Sequence, residues 1–200
     1  MSVGAFFERQ QISFMTSKKG GNIMYISSFK KFFVAFIFIM VEFRVKGFDV
    51  LPDFIGYILI LNGLSAFQGI NDLFERARKL VFPMLLLSAL TFYQTPGSNL
   101  TFDFSIIVGM LGEIIKLFLI YYLFVGIKNM ADDRRLDKVA LEAESSWRFY
   151  LIIGVANLIA FALVFSPVIF IQYKLAMFFF NIFVMLKILK FMNISKDTIY

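Results

Sequence analysis

The chain has 200 residues, 60% of them hydrophobic and 18% aromatic, with a mean hydropathy of +0.78, whereas soluble domains run at about 45–50% apolar residues. It contains no cysteine and no histidine, which excludes disulfides, thiolate and imidazole catalysis, and the usual zinc and haem ligands. The formal net charge of +6 is carried by basic residues at the ends of apolar stretches, a pattern of membrane topology that gives no reason to expect nucleic acid.

Residues 1–23 show no clear period. The string Lys18-Lys19-Gly20-Gly21-Asn22-Ile23 before Met24 back-translates into a purine-rich ribosome-binding sequence and a short spacer. Two readings stay open: a cytoplasmic tail, or untranslated sequence ahead of a start at Met24. A single transmembrane domain is expected over 24–200.

The first span is expected over residues 29–45, short against the roughly 20 residues a bilayer needs, with Lys30, Lys31 and Arg44 able to snorkel. The second runs over 49–67. Asp49 is expected as its N-cap, with Pro52 and Asp53 in the first turn and Gly56 permitting close packing. In 68–79, Ile70, Leu73, Phe74 and Ala77 oppose Asp72, Glu75, Arg76 and Lys79, which predicts an interfacial amphipathic helix. A third span follows over 80–94, also short, and then an uncharged turn from Thr95 to Asn99 that should face outward. Pro83 and Pro167 are expected near span ends or within a turn of them.

The fourth span, 104–127, is the longest. The mixed charges of 128–148 predict a solvated helix outside the bilayer. The fifth span is expected over 149–171, with Trp147 and Tyr150 at one interface and Tyr173 at the other, and the sixth over 175–192. The basic segments alternate along the chain, so the fold class is all-α: a polytopic bundle of about six transmembrane helices with both ends cytoplasmic. Phe48-Asp49 and Phe102-Asp103 each precede a glycine-bearing span and a charged helix, a weak repeat of two-helix units.

Glu113 is the most informative residue, because a carboxylate in mid-span costs about 2.5–3.5 kcal/mol and normally faces the bundle interior. Gly109, Glu113 and Lys116 share a helical stripe, so the two charges can pair while a neighbour approaches at Gly109. Asn62, Asn157 and Asn181 are amides at membrane depth and are expected to face inward. These five polar residues form a candidate intramembrane site. The competing reading is structural: an ion pair and amide bonds that hold helices in register.

The segment Leu51-Pro52-Asp53-Phe54-Ile55-Gly56-Tyr57 resembles a Leu-Pro-Asp-x-Ile-Gly-Tyr string of small, uncharacterised multi-spanning membrane proteins of low-GC Gram-positive bacteria. The likeness covers the first two spans and implies a bacterial cytoplasmic membrane protein without implying an activity. Its residues Asp49, Pro52, Asp53 and Gly56 are read as a helix-start motif. In size and span number the chain is also similar to the substrate-binding subunits of energy-coupling-factor vitamin transporters, with no shared motif.

Two functions follow from these features. One is a small transport or solute-binding subunit with a polar site inside the bundle. The other is a membrane-embedded interaction, regulatory or immunity subunit that presents 128–148 to a protein partner in the membrane or cytoplasm. A membrane enzyme ranks third, since no paired acidic motif is present. The lipid bilayer is the expected surrounding, and no cofactor or metal is implied.

Overall fold

The computed structural model describes residues 24–41, 44–45, 48–49, 52–91, 102–163 and 166–198. Among these, α1 covers 24–40 and is followed by two minimal strands, β1 (Arg44–Val45) and β2 (Phe48–Asp49), paired antiparallel with Arg44 opposite Asp49. Five helices follow: α2 (Asp53–Leu64), α3 (Asp72–Thr91), α4 (Phe102–Asp133), α5 (Asp137–Leu163) and α6 (Pro167–Thr198). The tail 1–23 and the turn at 95–99 lie outside the described residues.

Several expected boundaries move, each for a local reason. Asp49 belongs to β2 and is not the cap of α2. Pro52 holds that position, its backbone extended at φ −63° and ψ 124°, and Asp53 is the acidic residue of the first turn. A 3-10 turn at Ser65–Phe67 ends this helix. Gln68 and Gly69 (φ 75°) then form a type II turn closed by the Ile70 amide donating to the Phe67 carbonyl at 3.3 Å. Glycine is needed at that positive φ.

Asn71 caps α3, its side-chain oxygen accepting from the Leu73 amide at 2.9 Å. The amphipathic 68–79 segment and the third span are therefore not two helices; they are one helix entered at Asp72, because both share the 3.6-residue period and no breaker divides them. Pro83 lies inside α3, not near its end. It removes one backbone hydrogen bond that the rest of the helix tolerates.

Residues 128–148 are not one solvated helix. They are the end of α4 and the start of α5, joined by a tight turn. The Leu136 amide donates to the Ala131 carbonyl at 2.9 Å and the Arg135 amide to the Asp132 carbonyl at 3.0 Å, the Schellman closure, with Arg135 left-handed at φ 58°. Lys128 and Arg148 both pair with Glu144, Lys128 at 2.8 Å, and clasp the hairpin. α5 ends at Leu163 and α6 opens at Pro167, so Tyr173 and Lys174 lie inside α6, about two turns from its start, and not between two segments.

Chain-adjacent helices pack against one another from α2 through α6. A Cβ on Gly56 would meet the Ala35 carbonyl oxygen at 2.9 Å, and one on Gly63 would overlap the Phe32 ring, so both glycines seat α2 on α1. Phe67 is the hub of an aromatic core, with ring centroids 5.2 Å from Tyr25, 5.8 Å from Phe29 and Phe32, and 4.8 Å from Phe74. Phe36, Phe124 and Phe191 continue it between α1, α4 and α6. The Arg134 guanidinium lies 5.7 Å over Tyr25, so the start of α1, the end of α2 and the α4–α5 hairpin share one end of the bundle.

Two helical stretches, Ile107–Asp133 and Ile171–Thr198, are long and apolar enough to cross a membrane, and Asp53–Phe67 is apolar but shorter. Their outer faces stay uncovered: Val168 is 70% exposed and Phe179 65%, with Phe82 and Leu86 on α3 and Ile152 and Ile159 on α5 likewise exposed. So many large apolar side chains in contact with the surroundings mark a surface built to meet something apolar.

Candidate functional site

Glu113 sits in the middle of α4 with its carboxylate buried, and the Lys116 ammonium is 2.5 Å from its Oε2. The i,i+3 spacing puts both side chains over one turn of the helix. The side chains are 9% and 15% exposed respectively, so the pair is largely withdrawn from the surroundings and each partner compensates the other. The second carboxylate oxygen accepts from the Asn157 amide of α5 at 3.4 Å. Gly109 on the same stripe faces the Phe161 ring, and a Cβ on Gly154 would overlap Leu117, so the Glu113 stripe is the seam between α4 and α5.

Above the aromatic core, Lys116 forms part of the wall of a cavity of about 340 Å³. Tyr150 and Asn157 of α5, Lys174 and Asn181 of α6, and residues 39–41 at the end of α1 complete its lining together with apolar side chains. Asn181 also donates to the Met177 carbonyl within its own helix at 3.0 Å. The Tyr173 hydroxyl donates to the Ala156 carbonyl at 2.7 Å and ties α6 to α5 along one side of this space. Size and composition fit a small-molecule pocket at the lower end of the roughly 300–1,000 Å³ range.

Four of the five expected intramembrane residues therefore come together: Glu113, Lys116, Asn157 and Asn181. Asn62 does not. It is exposed on α2, whose inner face is taken by Gly56, Tyr57, Ile60 and Gly63, and its backbone carbonyl accepts from the Ser65 hydroxyl at 2.7 Å.

Two features were not visible in the sequence. The Lys116 ammonium has the Tyr150 and Tyr57 hydroxyls and the Asp53 carboxylate as electrostatic neighbours besides Glu113. The Asp53 carboxylate at the start of α2 is thus within electrostatic reach of the α4 charges. Tyr150, expected at an interface, is buried. The Tyr57 hydroxyl is buried with no hydrogen-bond partner among the described residues. Lys174 was hidden because the span boundary was expected near Tyr173, which made it a loop residue.

Outside the site, the Lys128 ammonium hydrogen-bonded to Glu144, with Arg148 beside it, holds the Glu144 carboxyl below the usual carboxylate range. No protein family, curated protein or solved structure matches the chain. Its functional reading rests on its own chemistry.

Proposed function

We propose that this chain is a multi-pass membrane protein with six membrane-embedded helices, both ends cytoplasmic, and a solute-binding site at the Lys116 cavity, acting as a small transport or solute-binding subunit. The observation that carries this is the cavity itself: a space of about 340 Å³ inside an apolar bundle, with Lys116, Asn157 and Asn181 in its wall. Polar groups held at such depth are costly, and they accumulate where a bundle handles a polar ligand. The orientation is supported by the basic residues at the hairpin end, among them Lys30, Lys79, Lys128, Arg134 and Lys190. The likeness at Leu51–Tyr57 supports a bacterial cytoplasmic membrane.

The test is small-molecule mass spectrometry of solutes released from protein purified in mild detergent, paired with Asn181→Phe, which fills the cavity. The solute is expected in the native sample and absent from the variant. If no solute is released and none of a metabolite panel raises the thermal midpoint, the reading fails.

A second reading draws on Leu141, a large apolar side chain 69% exposed beside the charged α4–α5 hairpin. There the chain is an interaction subunit and the hairpin docks a cytoplasmic protein. Leu141→Glu abolishes co-purification of a partner under that reading and is silent under the first.

A further inference from the structure

Resting on the membrane placement proposed above, we infer that the groove between α4 and α5 at the hairpin end binds an anionic phospholipid, its phosphodiester at Lys128 and Arg148 and an acyl chain along the two helices. A cavity of about 310 Å³ opens there, lined by Tyr121, Lys128 and Asn129 of α4 and by Glu144, Trp147 and Arg148 of α5. Glu144 holds both cations, accepting from Lys128 at 2.8 Å and from Arg148. The three side chains together carry one net positive charge, which a single phosphodiester neutralises.

Glu144 takes one donor from each cation, whereas an ammonium has three N–H groups and a guanidinium five. The clasp therefore fixes the position of both cations and, among the described residues, leaves each with further donors for phosphate oxygens. Arg148 is 72% exposed and Lys128 34%, so a headgroup can reach them. Asp132 is a further acid near Lys128, but it is exposed one turn nearer the hairpin, where water and salt screen it.

The aromatic side chains and what lies beyond them select a lipid over free phosphate. Trp147 and Tyr121 meet edge to face at 5.1 Å beside the cations, and such amphipathic rings sit at headgroup level. From there the groove continues as an apolar track. On α4, Phe118 and Ile114 extend the stripe of Tyr121; on α5, Leu151 and Val155 extend that of Trp147. All four are exposed. The track rises about 10–12 Å, most of the roughly 15 Å of hydrocarbon in one leaflet. Basic groups at the membrane face above an apolar seam between helices are the setting in which anionic headgroups are held.

Trp147 is the one tryptophan of the chain, so the groove carries its own reporter. The full chain is reconstituted in vesicles that mix phosphatidylcholine with phosphatidylglycerol, with bromine on the acyl chains of one lipid or the other. Brominated phosphatidylglycerol is expected to quench Trp147 fluorescence as if enriched about fivefold over its bulk fraction. Arg148→Gln removes most of this preference and Arg148→Lys keeps it, while quenching by brominated phosphatidylcholine in both variants shows that the fold and the depth of Trp147 persist. Lys190→Gln removes the same charge elsewhere at the hairpin end and leaves the preference unchanged. If it acts as strongly as Arg148→Gln, diffuse attraction to a basic face replaces the site. Loss of the preference on adding millimolar inorganic phosphate, but not chloride of equal ionic strength, makes the groove a phosphate site and overturns the lipid. Equal quenching by the two brominated lipids overturns the headgroup site and leaves the bundle in the membrane. If neither lipid quenches Trp147, the membrane placement itself falls.

Discussion

A methyl group added at Gly56 and one added at Gly112 should have opposite effects. At Gly56 the new carbon meets the Ala35 carbonyl oxygen at 2.9 Å, backbone that cannot swing aside, so Gly56→Ala is expected to destabilise by about 1–3 kcal/mol. At Gly112 the nearest atom is Leu87 Cδ1 at 4.0 Å, and Gly112→Ala should be neutral or gain up to about 1 kcal/mol. Thermal midpoints in mild detergent separate the two. The Glu113–Lys116 pair follows the rule for buried charges: Glu113→Leu alone leaves an ammonium without its counter-charge and should cost about 3–5 kcal/mol, while the double replacement with Lys116→Leu recovers most of it. If the single and double variants melt alike, the pair does not compensate in this way. Residues of this kind were legible in the sequence, because a charge inside an apolar run announces itself. Asp53, Tyr150 and Lys174 were not, since what brings them to Lys116 is the depth at which α2 starts and the point at which α5 ends.

Helix ends were less legible than helix faces. The hydrophobic period identified the long apolar helices α4 and α6, but period alone does not register a stop. Gly69 and Pro167 mark stops that composition blurred, and at Arg135 a Schellman turn forms without the glycine that usually signals it. Arg135→Gly should therefore stabilise the hairpin by about 1 kcal/mol, because a left-handed residue is strained with any Cβ, and chemical denaturation in detergent reads this directly. The Glu144 clasp adds a pH signature. Its carboxyl is held below its ordinary value of 4.5, so its contribution is present above that value and is lost as pH falls through the lowered one. The difference in thermal midpoint between the native chain and Glu144→Gln should hold from pH 7 to about 5 and shrink below about 4.5. A difference independent of pH would mean that the clasp does not act through ionisation.

At the scale of the whole molecule, the hairpin end is basic and aromatic and the opposite half carries the cavity. Under the topology proposed, Ser98→Cys, the only thiol in the chain, is expected to label from outside intact cells with a membrane-impermeant maleimide. Labelling confined to opened cells reverses the orientation. The all-helical character and the long apolar stretches of α4 and α6 were readable because each is a property of composition and period. Depth was not. α1 over 24–40 and the 12 residues of α2 rise about 25 and 18 Å, against about 48 Å for the 32 residues of α4. The ends of those shorter helices accordingly lie beside the interior charges and cavity of the longer ones.

The order in which these helices can meet follows from their packing. Helices α2 to α6 each rest on a neighbour in the chain, contacts that form as soon as two successive segments have been synthesised. The first helix also rests on its chain neighbour α2, at Gly56 and Gly63, but Phe36 waits for Phe124, and both α1–α6 cavities, that at Lys116 and another of about 330 Å³ lined by Phe29, Val34 and Met192, wait for α6. The cavity walls are thus closed only when α6 meets α1, two segments far apart in the chain. Until that step, the surface of α1 destined to face α6 stays uncovered, and both cavities stay open along one side.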